Sequence, residues 1–439
     1  MAVDNAAMAK TFRPYAPDQM LLMPPALGDW IPEDHLARFV RDVVETLDLS
    51  AIEDAYTEER GYPPYDPRMM TTLLLYAYCS GIYSSRKIAR QLVDSVAFRF
   101  LAAGNQPDFR TLSEFRRRHG VALAALFVQG LKLCRQAGLV QLGRVAVDGT
   151  KIKANASKHK AMSYGRMRSE EARLEQEVRA LLRQAEAADE QEDEHYGRER
   201  RGDELPAELA RRESRLQKIR EAKAALEAEA RAQAAAAGKP PDDVAPPDKS
   251  QRNFTDPEAK IQKTSDGFLQ GYNAQIAVAG GPAQIIVAQH VTAAAPDVQQ
   301  LVPVVTAITQ ALHRKPAVVL ADAGYWSEAN VQALEAKGME PLIATGRRKH
   351  TEPPPIAPRG RRPRGLSVKE RMQRTLATLR GQRLYARRKA IVEPVFGQIK
   401  HARGFRQFLR RGLQRVQEEW ALVCLSHNLL KLHATRVRG

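Results

Sequence analysis

The 439-residue sequence predicts an α/β protein with an all-helical N-terminal domain (residues 11–135), an α/β core (residues 140–165 and 250–435) and a helical hairpin with a Pro-rich linker (residues 166–249) inserted into that core. Apolar residues recur at the 3.6-residue spacing of amphipathic helices through the N-terminal part. Runs short enough to be strands appear at Gly143–Ala156 and again after Gly271. Between them lies a stretch rich in Ala, Glu, Arg and Leu whose apolar seams suit paired helices. A chain of this length exceeds one compact core, and 44% hydrophobic residues supply enough apolar surface for two or three. The formal charge of +17 and pI near 9.8 favour a polyanionic partner, with nucleic acid first and an anionic membrane second. Met1–Lys10 has no apolar h-region and no run is long enough to span a bilayer, so the expectation is a cytoplasmic, nucleoid-associated protein. Cys79, Cys134 and Cys424 are scattered among apolar residues without a CxxC pair and read as buried free thiols.

In the N-terminal part, Leu36, Phe39, Val40, Val43, Val44 and Leu47 mark an amphipathic helix. The GYPPYDP cluster at 61–67 is a turn, and Thr71–Tyr83 reads as a buried helix. Ser84 and Ser85 are placed to cap a basic helix from Arg86 to Leu101 that presents Arg86, Lys87, Arg90 and Arg99, and two helices joined in this way fit a helix-turn-helix. Thr111 and Glu114 read as a capping box for a third helix with Arg116, Arg117, Arg118 and His119 near its start. Charged faces of this kind also occur as plain solvated surfaces of helical bundles.

The core opens with GRVAVDGTKIKANA, in which Val145 and Val147 alternate with Ala146 and Asp148 as in a half-buried strand. A carboxylate there costs stability unless it is paired, hydrogen-bonded or holding a metal. Asp-Gly also closes hairpins, and on this stretch alone the two readings stand level. Met167–Ala237 follows, with Leu174, Val178 and Leu181 on one seam and Leu209, Leu216, Ile219 and Leu226 on another. From Gly271, Tyr272, Ala274, Ile276 and Val278 alternate with Asn273, Gln275 and Ala277, and Gly280-Gly281 turns the chain into Ala283–Val291 as a hairpin. Asp297 and Gln300 are placed to cap a helix to about His313. PAVVLA at 316–321 reads as a strand buried on both faces that ends in Asp322; Ser327 caps the next helix, and Pro341–Ala344 is a last strand.

With the insertion set aside, the order is strand, strand, strand, helix, strand, helix, strand, helix, which is that of a ribonuclease H-like core. In such a fold the first and fourth strands are neighbours, so Asp148 and Asp322 would face each other at the carboxyl ends of the strands, where ligands of open α/β sheets gather. A third carboxylate, Glu393, stands in the basic segment RKAIVEPVFGQIKHARGFRQF, seven residues before Lys400 and on the same helical face if Pro394 leaves the helix continuous.

Taken together, YDPRMMTTLLLYAYCSGIYSSRKIA, DGTKIKANAS, QGYNAQIAV, VLADAGYWS and IVEPVFGQIK make the chain resemble the DDE transposases of bacterial insertion sequences, in the branch with a helical N-terminal domain. The resemblance implies an acidic triad of Asp148, Asp322 and Glu393 that serves as both catalytic and metal-binding set. The related signature is Tyr, two residues, Arg, three residues, Glu, six residues, Lys. Glu393 and Lys400 match it, while Lys389 occupies the position of the Arg and Tyr385 falls one place early unless Arg388 is its partner. The implied cofactors are two Mg2+ or Mn2+ ions, which suit carboxylate oxygens. The implied partner is double-stranded DNA at element ends and target, bound by a homodimer or larger assembly, with Lys400, Arg388, Lys151, Arg86, Lys87 and Arg90 as expected DNA contacts. The implied reaction is hydrolytic cleavage at element ends followed by strand transfer. The same residues would serve a nuclease without strand transfer. A non-catalytic DNA-binding descendant would be favoured by loss of a triad carboxylate, and all three are present.

Overall fold

The computed structural model describes residues 26–57, 63–196, 207–236, 238, 240, 244–264, 267–346, 355–361 and 363–438. The readings made at Met1–Lys10 and at Gly61 and Tyr62 lie outside the described residues. No helix among the described residues is long and apolar enough to cross a membrane.

The chain begins with helices α1 (Leu36–Thr46), α2 (Ser50–Glu53), α3 (Pro67–Cys79), α4 (Ser85–Asp94), α5 (Val96–Leu101), α6 (Phe109–Arg118) and α7 (Gly120–Gln136). Pro67 and the Asp66 carboxylate start α3, the latter accepting the Arg68 and Met69 amides at 2.7 and 2.9 Å. The basic helix expected over Arg86–Leu101 is two helices, because Ser95 is extended between α4 and α5. Ser84 occupies the cap position of α4 without a side-chain bond, and the Ser85 hydroxyl is taken by Arg116. α6 is capped by Asp108, which accepts the Thr111 amide at 2.7 Å; Glu114 instead pairs with Arg117, so the expected capping box is not formed. The arginines consequently sit in the last turn of α6. Arg116 is buried and donates to Tyr83 O at 2.8 Å and to Tyr78 Oη at 3.3 Å, tying α6 to α3.

The rest of the chain comprises β1 (Arg144–Lys153), β2 (Ala161–Ser163), α8 (Tyr164–Tyr196), α9 (Ala207–Ala236), β3 (Gln251–Asn253), β4 (Lys260–Thr264), β5 (Gly267–Ala279), β6 (Ile286–Thr292), α10 (Leu301–Leu312), β7 (Val318–Ala321), α11 (Glu328–Ala336), β8 (Glu340–Ile343), α12 (Val368–Ala377), α13 (Leu379–Gly397) and α14 (Leu413–Arg438). The main sheet runs β5-β1-β7-β8; β4 pairs with the first residues of β5 and β6 with its later ones. β1 is antiparallel to β5 and parallel to β7, and β7 is parallel to β8. The strand β4 had no counterpart in the sequence reading.

One expectation changes here and one open alternative is decided. Val145, Ala146 and Val147 are all buried, so β1 is a central strand covered on both faces and not a half-buried one. Asp148-Gly149 makes no turn, since pairing continues through Asp148↔Ile276 and Gly149↔Gln275. The polar set of β5 is buried as well: Asn273 and Gln275 are fully inaccessible.

A single hydrophobic core runs from the N-terminal helices into the sheet. The bridge is α14, which packs on α3 and α7 as well as on β6 and buries Trp420, Leu425 and Leu429. The α8–α9 pair, with Met162 of β2, has its own small core of Met162, Tyr164, Met167, Leu174, Leu216, Ile219, Ala222 and Leu226. Cys79, Cys134 and Cys424 are buried free thiols.

Candidate active site

The parallel β1–β7 register pairs Arg144 with Val318 and Ala146 with Leu320. Continued by two residues, it brings Asp148 level with Asp322, just past the carboxyl end of β7. Asp148 Oδ1 accepts the Gly149 amide at 2.9 Å, and its Oδ2 accepts Arg388 Nη1 at 3.0 Å. Burial pushes the Asp148 carboxyl up to about 6; the Arg388 charge opposes this rise and the Asp322 charge adds to it. Asp322 Oδ1 accepts the Gly324 amide at 2.8 Å and so caps the 3-10 turn Ala323–Tyr325. Both carboxylates are thereby fixed by a glycine amide, one residue on from Asp148 and two residues on from Asp322, which is the local reason each is succeeded by small residues.

Asp297 joins this site, and sequence reasoning missed it. It was expected to cap a helix, yet its side chain makes no cap bond. Its Oδ1 instead accepts Asn273 Nδ2 at 2.7 Å and Gln275 Nε2 at 2.8 Å, with Lys151 Nζ at 3.4 Å. Gln275 Oε1 in turn accepts the Tyr325 hydroxyl. The available signal was the pair of amides at alternate positions of an otherwise apolar strand, because buried amides need partners. Gly149 is required at its position: a Cβ there would strike Gln275 Nε2 and lie 3.0 Å from Asp297 Oδ1.

Helix α13 crosses the site through Arg388, whose side chain is 8% exposed, and Tyr385. Burial raises the Tyr385 hydroxyl, against the pull of Arg388. Lys389 is exposed, so Arg388 is the arginine that meets Asp148. Pro394 lies inside α13 without ending it, and the helix closes in a π-helical turn at Gln398–Ala402. Lys400, in that turn, donates to Thr150 Oγ1 and to Lys151 O at 3.2 Å; burial, then Arg406, lowers its ammonium. Lys151 also donates to Ala295 O at 2.7 Å, and burial lowers it against the attraction of Asp297 and Asp322.

Glu393 is not brought to Asp148 and Asp322. It is exposed on α13, and no hydrogen bond or ion pair engages it among the described residues. The Arg and Glu of the related signature are four residues apart, roughly 40° around a helix, whereas Arg388 and Glu393 are five apart, roughly 140°. Accordingly, among the described residues no three His, Cys, Asp or Glu side chains lie close enough to hold a metal ion. Arg86, Lys87 and Arg90 sit on α4: Arg86 stacks on Phe109 at 5.1 Å, Lys87 is exposed, and Arg90 pairs with Asp94 at 3.0 Å on the surface.

Comparison with family models gives two matches. The Transposase domain (DUF772) matches residues 25–118, and the Transposase DDE domain matches residues 243–429, so the two together span more than half of the chain. The chain belongs to the DDE transposases of insertion sequences. In this transposase the first match takes in α1 to α6 and the second runs from before β3 into α14, while β1, with Asp148, falls between them. Comparisons with curated proteins and with solved structures give no match.

Proposed function

We propose that this transposase binds the ends of its insertion sequence and carries out strand cleavage and strand transfer at Asp148 and Asp322. The observation that carries the reading is the level placement of these two carboxylates on adjacent parallel strands, with Arg388 across from them. A ribonuclease H-like core is supported by the same sheet, in which β1 and β7, the strands read from the sequence as the first and fourth of the core, are neighbours.

The pair suits a hard divalent cation in ligand type, and the raised Asp148 carboxyl is one that added positive charge would stabilise as the anion. Magnesium or manganese held by Asp148 and Asp322, with two ions expected, would polarise the scissile phosphate and activate a water or 3′-hydroxyl; Glu393, exposed on α13 in the DNA-free protein, would complete the shell only once α13 turns it toward the pair. Among the described residues Arg388 Nε is buried and makes no hydrogen bond, so it would donate to a phosphate oxygen only if the site opens around it. Lys151 and Lys400 supply further positive charge along the exit of β1. Residues 11–135, of which 11–25 and 58–62 lie outside the described residues, are proposed to recognise the element ends through α4, with Arg86, Lys87 and Arg90 on phosphates. The active species is a dimer or larger on double-stranded DNA, and the insertion 166–249 is an appendage to the core.

The test is cleavage of an element-end duplex by Asp148→Asn, Asp322→Asn and Glu393→Gln. An amide is nearly isosteric but brings no charge to a cation, so each should abolish cleavage while DNA binding survives. Multiple substitution should be little worse than a single one, because residues acting as a unit fail together. Full cleavage by Asp322→Asn in magnesium would overturn the mechanism; full cleavage by Glu393→Gln alone would remove only Glu393 from it.

A further inference from the structure

The geometry points to Asp297 as the residue that positions the Asp148–Asp322 pair for a divalent cation, an inference that rests on the function proposed above. Three structural facts converge on it. First, Asp297 Oδ1 gathers donors from two strands, Lys151 on β1 and Asn273 and Gln275 on β5. Asn273 and Gln275 are fully buried, and Gln275 Nε2 also donates to Asn273 Oδ1 at 2.9 Å, so the acceptor is held by a rigid pair of amides. Second, the same Gln275 accepts the Tyr325 hydroxyl from the turn that Asp322 caps. Asn330 reinforces that turn by donating to Tyr325 O at 2.8 Å and to Val298 O at 2.6 Å, which ties the segment after Asp322 to the residue after Asp297. Third, both acids border the same glycine. A Cβ on Gly324 would lie 3.0 Å from Asp322 Oδ1 and 3.4 Å from Asp297 Oδ2. Among the described residues Asp297 Oδ2 accepts no hydrogen bond, so it remains available beside Asp322.

The chemistry follows from this connectivity. Asp148 is carried by β1, and Asp322 by the turn after β7. Register alone sets their height along the sheet, while their separation also depends on how the Asp322 turn is anchored. Asp297, through Gln275 and Tyr325, holds that turn against β5, and through Lys151 it holds the exit of β1. It therefore sits outside the pair and orients it, as outer hydrogen-bonding partners do for metal ligands generally. Its free oxygen adds negative charge where a cation would be bound.

The experiment is Mn2+ binding to the full-length, DNA-free protein, read by electron paramagnetic resonance of the free ion, alongside thermal melting in EDTA. Asp297→Asn keeps an oxygen acceptor for the two amides and removes the charge; it should weaken Mn2+ binding about tenfold. Tyr325→Phe removes the hydroxyl that reaches Gln275 and should weaken binding less, and the double variant should be no worse than Asp297→Asn alone. The EDTA melting temperature should stay near that of the wild type for Asp297→Asn and fall for Tyr325→Phe, which leaves Gln275 Oε1 buried without its donor; reduced Mn2+ affinity in protein that remains folded is what a merely structural role would not predict. Asp322→Asn is the control for the underlying reading. If it binds Mn2+ as the wild type does, the proposed cation site itself is wrong. If Asp322→Asn loses binding while Asp297→Asn and Tyr325→Phe keep wild-type affinity, the cation site stands and the positioning role of Asp297 is overturned. Should Asp297→Asn fail to fold, Tyr325→Phe decides by the same criterion.

Discussion

In the metal-free protein, Asp148→Asn should raise stability at neutral pH even though it removes a residue proposed for catalysis. The Asp148 carboxyl has an ordinary value of 3.8 and is pushed to about 6 in the fold, with burial as the main cause. Because the folded value is the higher one, the native state holds the proton more tightly than the unfolded chain. Stability contributed by this group is therefore greatest in acid, falls as pH rises from 3.8 to about 6, and stays at its lowest above that. The penalty for holding the anion at pH 7.5 is on the order of 3 kcal/mol. Asparagine avoids it but has one acceptor oxygen for two donors, the Gly149 amide and Arg388, and losing one hydrogen bond returns about 1 kcal/mol. The net gain is about 2 kcal/mol at pH 7.5, and it turns into a small loss below pH 3.8. Urea unfolding in EDTA at several pH values between 3.5 and 7.5 measures this directly. Adding magnesium should then stabilise the wild type, by about 1.4 kcal/mol at ten times its Kd, and leave the variant unchanged. An Asp148→Asn protein that is less stable than the wild type at pH 7.5 in EDTA, or a difference that does not vary with pH, would refute this account of the site's electrostatics.

Two other outcomes are expected. Replacing residues 167–237 by a short Gly/Ser linker should leave the remaining protein folded and cooperative, because the α8–α9 pair buries its apolar residues in a core of its own; loss of a sharp calorimetric transition would show that the insertion supports the sheet. His427, buried on α14 with Nε2 3.0 Å from Gln284 O, is lowered to about 3 by burial and then by Arg403. Its unfolded value of 6.5 is the higher one, so this histidine draws stability away as pH falls from 6.5 toward 3. His427→Asn should flatten the acid limb of the unfolding profile over that interval, and an unchanged slope would rule out His427 as its source.

What was legible in the sequence was local. Period-two and continuous apolar runs located β1, β5, β6 and β7 to within a few residues, because neighbours along the chain decide which side chains can be covered together. Ser327 was correctly assigned as a cap, accepting the Asn330 amide at 3.0 Å, since a cap involves only the next turn. That β1 and β7 lie side by side also followed from the order of element types, which limits the topologies open to a sheet, whereas β4 was not foreseen. Capping failed where two acceptors competed: Asp108 displaced Thr111 because it lies where the helix has to begin.

The sequence alone determined that one carboxylate lies within a core strand and another just after a second, that a basic helix follows them, and that a helical pair interrupts the core. Only the tertiary structure decided which side chains meet. It turned Asp297 from an apparent cap into the acceptor for two buried amides, took Arg116 out of a charged helix face into a buried clasp, and joined the N-terminal helices to the sheet through α14 at the far end of the chain. It also set Arg388, and not Glu393, against Asp148. The reason is the same in each case: periodicity fixes the angle between residues of one element, but the rotation of that element against its neighbours is set by long-range packing, and one residue of spacing on α13 turns a side chain by about 100°.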